Sequence, residues 1–169
     1  MREELRVLLS ALVATACLIP GPIPSIEARA LMQQKPQTKT LPPLKRMPTP
    51  ADVVKEHLAA INECNWERAM AQYPDEVQFF LPGGQVVKGR EAVGELFDNF
   101  FRPVKDGGLC GLKFEVENTF PVGDTINMSW RATADFLAEP YRGADAYVTR
   151  DGLMWAQVTT FDALQLKKK

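Results

Sequence analysis

The chain has 169 residues, 46% of them hydrophobic and 24% charged, and a formal net charge of −1. That length and apolar content suit one domain of about 120 residues with an extension, not two domains. Charge is uneven: residues 1–50 carry seven Lys/Arg against three Glu, and the remainder thirteen against eighteen acids. The folded part is therefore mildly acidic and gives a nucleic-acid role no support.

Val7 to Ile19 is an apolar run of thirteen residues, too short to span a bilayer and suited to the core of a signal peptide. Ala28-Arg29-Ala30 offers a small-x-small cleavage site, so residues 1–30 are expected to be a signal peptide and the product to be exported, periplasmic or secreted. Ala14-Thr15-Ala16-Cys17 offers an alternative, a lipoprotein anchored at Cys17, and an uncleaved membrane tether is a third reading. Residues 31–49 are rich in proline and basic, without helical or strand period, and read as a disordered linker. Its cations could also favour an anionic membrane surface. Cleavage would leave Cys64 and Cys110. An oxidising compartment allows a bridge between them, two buried free thiols being the alternative, and nothing in their spacing suggests a metal site.

Thr49-Pro50-Ala51-Asp52 reads as a helix start, with Thr49 as cap and Asp52 reaching back. The helix runs to about Glu63, with Val53, Val54, Leu58, Ile61 and Cys64 on one stripe and His57 inside it. A short second helix is expected over 65–73, carrying Trp66, Ala69, Met70 and Tyr73. Residues 76–81 alternate as a strand, Pro82-Gly83-Gly84 turns the chain, and 89–104 reads as a third helix with Val93, Leu96, Phe97, Phe100 and Phe101 on one face. From residue 112 the period switches to two. Strands are expected over 112–117, 126–136, 142–149 and 153–161, the last two joined by a hairpin at Asp151-Gly152. The fold class is α+β: three N-terminal helices packed on a curved antiparallel sheet, spanning residues 50–165, with a basic tail at 166–169.

Helix one through Asn62 and Trp66, then Tyr73-Pro-Asp-Glu-Val-Gln-Phe, Leu81-Pro-Gly-Gly-Gln-Val-Val-Lys-Gly-Arg-Glu-Ala-Val, and an outgoing strand ending Phe161-Asp162 together resemble the SnoaL-like branch of the nuclear transport factor 2-like superfamily. That superfamily also holds ketosteroid isomerases and polyketide cyclases. The resemblance implies a cone-shaped, cystatin-like domain with a pocket between sheet and helices, and a homodimer through the open sheet face. It places Leu81 where isomerases of this type carry their base, His57 where they carry an oxyanion-hole Tyr, and Phe97 where they carry a supporting Tyr. Tyr73 matches a further family Tyr, and Asp145 matches a second acid that cyclases use as general acid/base.

Moving a proton beside a carbonyl needs a positioned base and a donor for the enolate oxygen. With Leu81 at the base position, steroid-isomerase activity is not expected. Asp145 shares a face with Tyr147 and opposes Ala146 and Val148; in an apolar cavity its pKa would rise, while on the other face it would be a solvated strand residue. His57 is the single histidine, either a satisfied core residue or a partner of Asp145. Trp66, Tyr73, Phe79, Phe97, Trp130, Tyr147 and Trp155 are candidate pocket aromatics, core packing being the alternative, and Arg131 and Arg142 could offer an anion contact. No phosphate loop, nucleophile elbow or zinc spacing is present, so neither cofactor nor metal is expected. The expected function is binding of a small apolar or aromatic molecule, without established catalysis. A cofactor-free isomerase, cyclase or dehydratase using Asp145 with His57 is the first alternative, and a dimeric interaction module the second.

Overall fold

The computed structural model describes residues 39–169, so the expected signal peptide, Cys17 and the linker before residue 39 lie outside the described residues. Helix α1 spans Pro50–Asn62. Thr49 Oγ1 accepts from the Asp52 amide (3.2 Å) while its hydroxyl donates to the Asp52 carboxylate (2.7 Å), a reciprocal cap that satisfies a free helix-end N–H. Val53, Val54, His57, Ala60 and Ile61 form its buried face. The chain turns through Cys64, in the left-handed region at φ 53°, into the short helix α2, Trp66–Met70, capped by Asn65. Cys64 is bonded to Cys110, with their Cα atoms 5.7 Å apart.

Strand β1 (Gln78–Phe80) leads through a turn at Pro82–Gly84 to β2 (Val86–Lys88), then to helix α3 (Arg90–Phe100). β2 was not expected, because three residues between glycine-rich segments are too few to show an alternation. α3 stops short of the expected residue 104: Phe101 is its C-cap, and Pro103 disfavours helix in the residue before it. Four longer strands follow: β3 (Lys113–Val122), β4 (Thr125–Thr133), β5 (Tyr141–Arg150) and β6 (Leu153–Thr159). In β4 the alternation holds throughout, with Ile126, Met128, Trp130 and Ala132 buried.

The six strands lie in the order β2-β1-β6-β5-β4-β3. The expected all-antiparallel sheet is corrected at one joint: β1 pairs with β6 in parallel, Phe79 opposite Gln157, because the chain makes α3 and β3 to β5 before returning beside β1. Register shifts at Val116/Asn118 and Val148/Thr149 interrupt two antiparallel pairs, and such bulges bend strands. On the inner face Phe79, Gln157, Tyr147 and Ile126 stand in one cross-strand row, and Thr159, Asp145 and Met128 in the next.

Residues 40–47, read as part of a free linker, lie along the domain. The Lys45 amide donates to Ala71 O (2.7 Å) and the Met47 amide to Gly152 O (2.9 Å). The buried Arg90 guanidinium donates to both Pro42 O and Met70 O. The segment read as a basic tail also pairs, the Ala138 amide donating to Lys167 O (2.8 Å) and the Lys169 amide to Phe136 O (3.1 Å).

Candidate functional site

Between the sheet's inner face and helices α1 and α3 lies a cavity of about 590 Å³, within the range of small-molecule sites. α1 contributes His57, Leu58 and Ile61, α3 contributes Leu96 and Phe100, and the sheet contributes Phe79, Asp145, Tyr147, Gln157 and Thr159. Where the lining residues are exposed, as at Pro82, Gly83, Gly107, Ala163 and Leu164, the cavity has its rim. Leu164, 94% exposed, stands at this rim. Leu81 also lines the wall, so the position where the resemblance implies an isomerase base carries an apolar side chain facing the cavity.

The polar groups converge on one patch. Asp145 Oδ1 accepts from Thr159 Oγ1 (2.7 Å), and Oδ2 accepts from the Tyr147 hydroxyl (2.8 Å) and from Gln157 Nε2 (3.1 Å). Gln157 Oε1 in turn accepts from the Tyr73 hydroxyl (3.1 Å), whose oxygen lies 3.3 Å from His57 Nδ1. Cross-strand register assembles this cluster: Asp145 opposes Thr159, and Tyr147 opposes Gln157.

Burial raises the Asp145 carboxyl above the usual carboxylate range, opposed by the donors of Thr159, Tyr147, Trp130 and Gln157. Trp130 Nε1 is buried and makes no hydrogen bond of acceptable geometry, so its N–H acts on the carboxylate as a nearby dipole. The Tyr73 and Tyr147 hydroxyls are pushed well up, first by burial and then by the Asp145 charge, and stay protonated. Burial lowers the His57 imidazole to about 3, so it is neutral at physiological pH. No ion pair among the described residues includes Asp145. The patch is a buried carboxyl whose hydrogen-bonding neighbours are all uncharged.

His57, Asp145, Phe79 and Tyr147 line the cavity. Tyr73 and Phe97 lie directly behind, with Tyr73 stacked on Phe97 at 5.7 Å and His57 edge-on to both. The three tryptophans do not line the cavity. Trp66 is buried between α2 and α3, its Nε1 donating to Gly94 O (2.8 Å), and Trp130 packs among Phe114, Tyr141 and Phe161. Trp155 sits toward the β5–β6 hairpin, donating to Arg150 O (3.1 Å) with the Arg150 guanidinium over its ring. Arg131 and Arg142 pair with Glu115 and Glu117 and do not line the cavity. Gln157 and Thr159 were missed; the signal was two polar residues spaced by two in the outgoing strand.

No group of three His, Cys, Asp or Glu among the described residues is placed to hold a metal, and no described helix is long and apolar enough to cross a membrane.

Residues 54–157 match the family of SnoaL-like domains. Similar solved structures include a nuclear transport factor 2-like protein from Cytophaga hutchinsonii, with 18% identity over 70% of this chain and 95% of that one, TM-score 0.55. A candidate ketosteroid isomerase from Kribbella flavida has 17% identity over 67% of this chain and 77% of that one, TM-score 0.55. A computationally designed 17-OHP binder has 19% identity over 73% of this chain and 98% of that one, TM-score 0.56. At these identities the likeness is one of fold. No curated protein is similar to the chain in sequence.

Proposed function

Because the chain belongs to the SnoaL-like family, we propose that its cavity takes up a small, uncharged and largely apolar molecule whose one polar group meets the patch of His57 and Asp145. The carrying observation is a cavity with mostly apolar walls in which the polar side chains converge around a single buried carboxyl. An anionic ligand would share a poorly screened space with that carboxyl, whose ionised form would repel it. The likeness in fold to a computationally designed 17-OHP binder supports this reading.

The test is thermal unfolding with a panel of neutral carbonyl and hydroxyl compounds. A ligand at a hundred times its Kd contributes about 2.7 kcal/mol, which in a domain of this size raises Tm by about 10 °C. Leu96→Trp, which places an indole into the cavity, should abolish the shift. A panel in which nothing shifts Tm retires the reading.

A second reading, acid/base turnover by Asp145, is favoured by the raised pKa of a carboxyl in the cavity wall. Isomerisation of the steroid type would have no base at Leu81, so another proton transfer is implied. Asp145→Asn should then retain binding and lose conversion of the bound compound, followed by mass spectrometry; undiminished conversion excludes this reading.

Dimerisation and export belong to the same proposal. Phe80, Val158, Ala146, Asn127 and Phe120 form one row across the outer sheet face, with Ala156, Val148 and Val122 beside it. Phe120 and Val158 are exposed, which suits a second copy against this face. Light scattering should give twice the chain mass, falling to one in Phe120→Lys with Val158→Lys. The Cys64–Cys110 bond favours an oxidising compartment, consistent with export. Fractionation of the native host, with the mature N-terminus read by sequencing, distinguishes cleavage after Ala30 from lipidation at Cys17.

A further inference from the structure

The hydrogen-bond directions in the polar patch form a chain with one solution. The Tyr147 hydroxyl, Gln157 Nε2 and Thr159 Oγ1 all donate to the Asp145 carboxyl, which accepts from each. Gln157 therefore turns its Nε2 toward Asp145 and its Oε1 toward Tyr73. Oε1 can only accept, so the single Tyr73 proton goes to Gln157. The Tyr73 oxygen is left with lone pairs, and its other neighbour, His57 Nδ1 at 3.3 Å, must carry the proton. Neutral imidazole holds one N–H, so Nε2 is bare.

Nothing in the described residues occupies that second nitrogen. His57 Nε2 makes no hydrogen bond, and it is not among the fully enclosed polar atoms without partners. The other rings packed around the imidazole are those of Tyr73, Phe97 and Tyr147; Phe97 has no polar group, and the two hydroxyls are engaged with Gln157 and Asp145. His57 lines the cavity.

We propose that His57 Nε2 is a fixed hydrogen-bond acceptor in the cavity, and that it selects ligands presenting a hydroxyl or N–H over isosteres that can only accept. The inference rests on the reading of the cavity as a ligand site. Tyr73 and Gln157 are positioning residues: they transmit the requirement of Asp145 to the far nitrogen of His57 without touching the ligand. A carbonyl or ether oxygen placed against Nε2 would set lone pair against lone pair, and a desolvated acceptor left unpaired is costly.

Two measurements on the full chain test this. Nitrogen-15 NMR of labelled His57 at pH 7 without ligand should give a protonated Nδ1 and an unprotonated Nε2. A protonated Nε2, or an even mixture of tautomers, overturns the inference and leaves the pocket reading standing. Titration with 2-naphthol and 2-methoxynaphthalene, which differ in the ability to donate, should show the naphthol binding about tenfold more tightly. His57→Phe should bring the ratio close to one. Should that variant fail to fold, Tyr73→Phe serves instead: it releases the tautomer, so NMR should show both forms and the ratio should fall. Equal affinities in the parent protein, or a tenfold ratio that survives loss of the imidazole, overturn the inference alone. Failure of both naphthalenes to bind overturns it together with its premise.

Discussion

His57 and Asp145 bear on stability with opposite signs. The imidazole is held neutral down to about 3, whereas in the unfolded chain it protonates near 6.5. Between those values the unfolded state binds the extra proton, so the contribution is intact above pH 6.5 and is lost as pH falls toward 3. At pH 4 the loss amounts to about 3 kcal/mol. For Asp145 the folded pKa is raised, so the native state holds its proton more tightly and stability falls as pH rises through that value. Urea unfolding at pH 7 and pH 4 on the parent and His57→Phe isolates the first effect, the parent losing about 3 kcal/mol more than the variant. The placement of Asp145 beside Tyr147 was legible in the alternation of β5. That of Gln157 and Thr159 was not, because a polar residue in a strand reads as solvent-facing until its register is known. Register with Asp145 for Thr159, and with Tyr147 for Gln157, is what turns both inward.

Among the elements, α1 was legible almost to the residue because its start is written in capping chemistry. Thr49→Ala removes the acceptor for the Asp52 amide and should cost about 1 kcal/mol in chemical denaturation without changing the fold. Strand β5 carries a subtler constraint at Gly143, which opposes Trp130 across the β4–β5 ladder. A Cβ there would lie 2.5 Å from the Trp130 ring and 2.6 Å from Thr160 Oγ1. Gly143→Ala should therefore destabilise by about 1–3 kcal/mol, the range for an overpacked core, and near-ultraviolet circular dichroism should report a shifted tryptophan. Trp130 was read as a possible ligand contact because periodicity assigns a face without depth: it lies on the inner face, in the aromatic layer with Phe114 and Phe161. The parallel β1–β6 joint was illegible for a related reason, since pairing between strands far apart in the chain leaves no local pattern.

For the molecule as a whole, two long-range ties hold the layers together. The Cys64–Cys110 bond closes a loop with a sequence separation of 46, and in the chain-entropy account such a closure contributes about 4 kcal/mol. Cys64→Ser with Cys110→Ser should lower stability by that order, measured by urea unfolding under non-reducing conditions. Cys110 directly follows Leu109, a cavity-lining residue, so ligand affinity should fall as well. The second tie is the segment 40–47, whose docking was hidden because its composition, proline and cations, is that of a linker; its partners, Ala71, Arg90 and Gly152, are distant in the chain. Gly152, at φ 73°, lies so close beneath Met47 O that a Cβ would collide with it. Gly152→Ala should release this segment, seen as faster amide exchange at Lys45 and Met47. During synthesis the segment emerges long before its partners: Arg46 precedes Asp151, whose carbonyl it binds, by 105 residues, on the order of ten seconds of elongation. The part of the domain made first is thus seated in two stages, on Ala71 and Arg90 as they emerge and on Asp151 and Gly152 only once the final hairpin is complete. A chain cut short before that hairpin would leave Arg46 and Met47 without their partners.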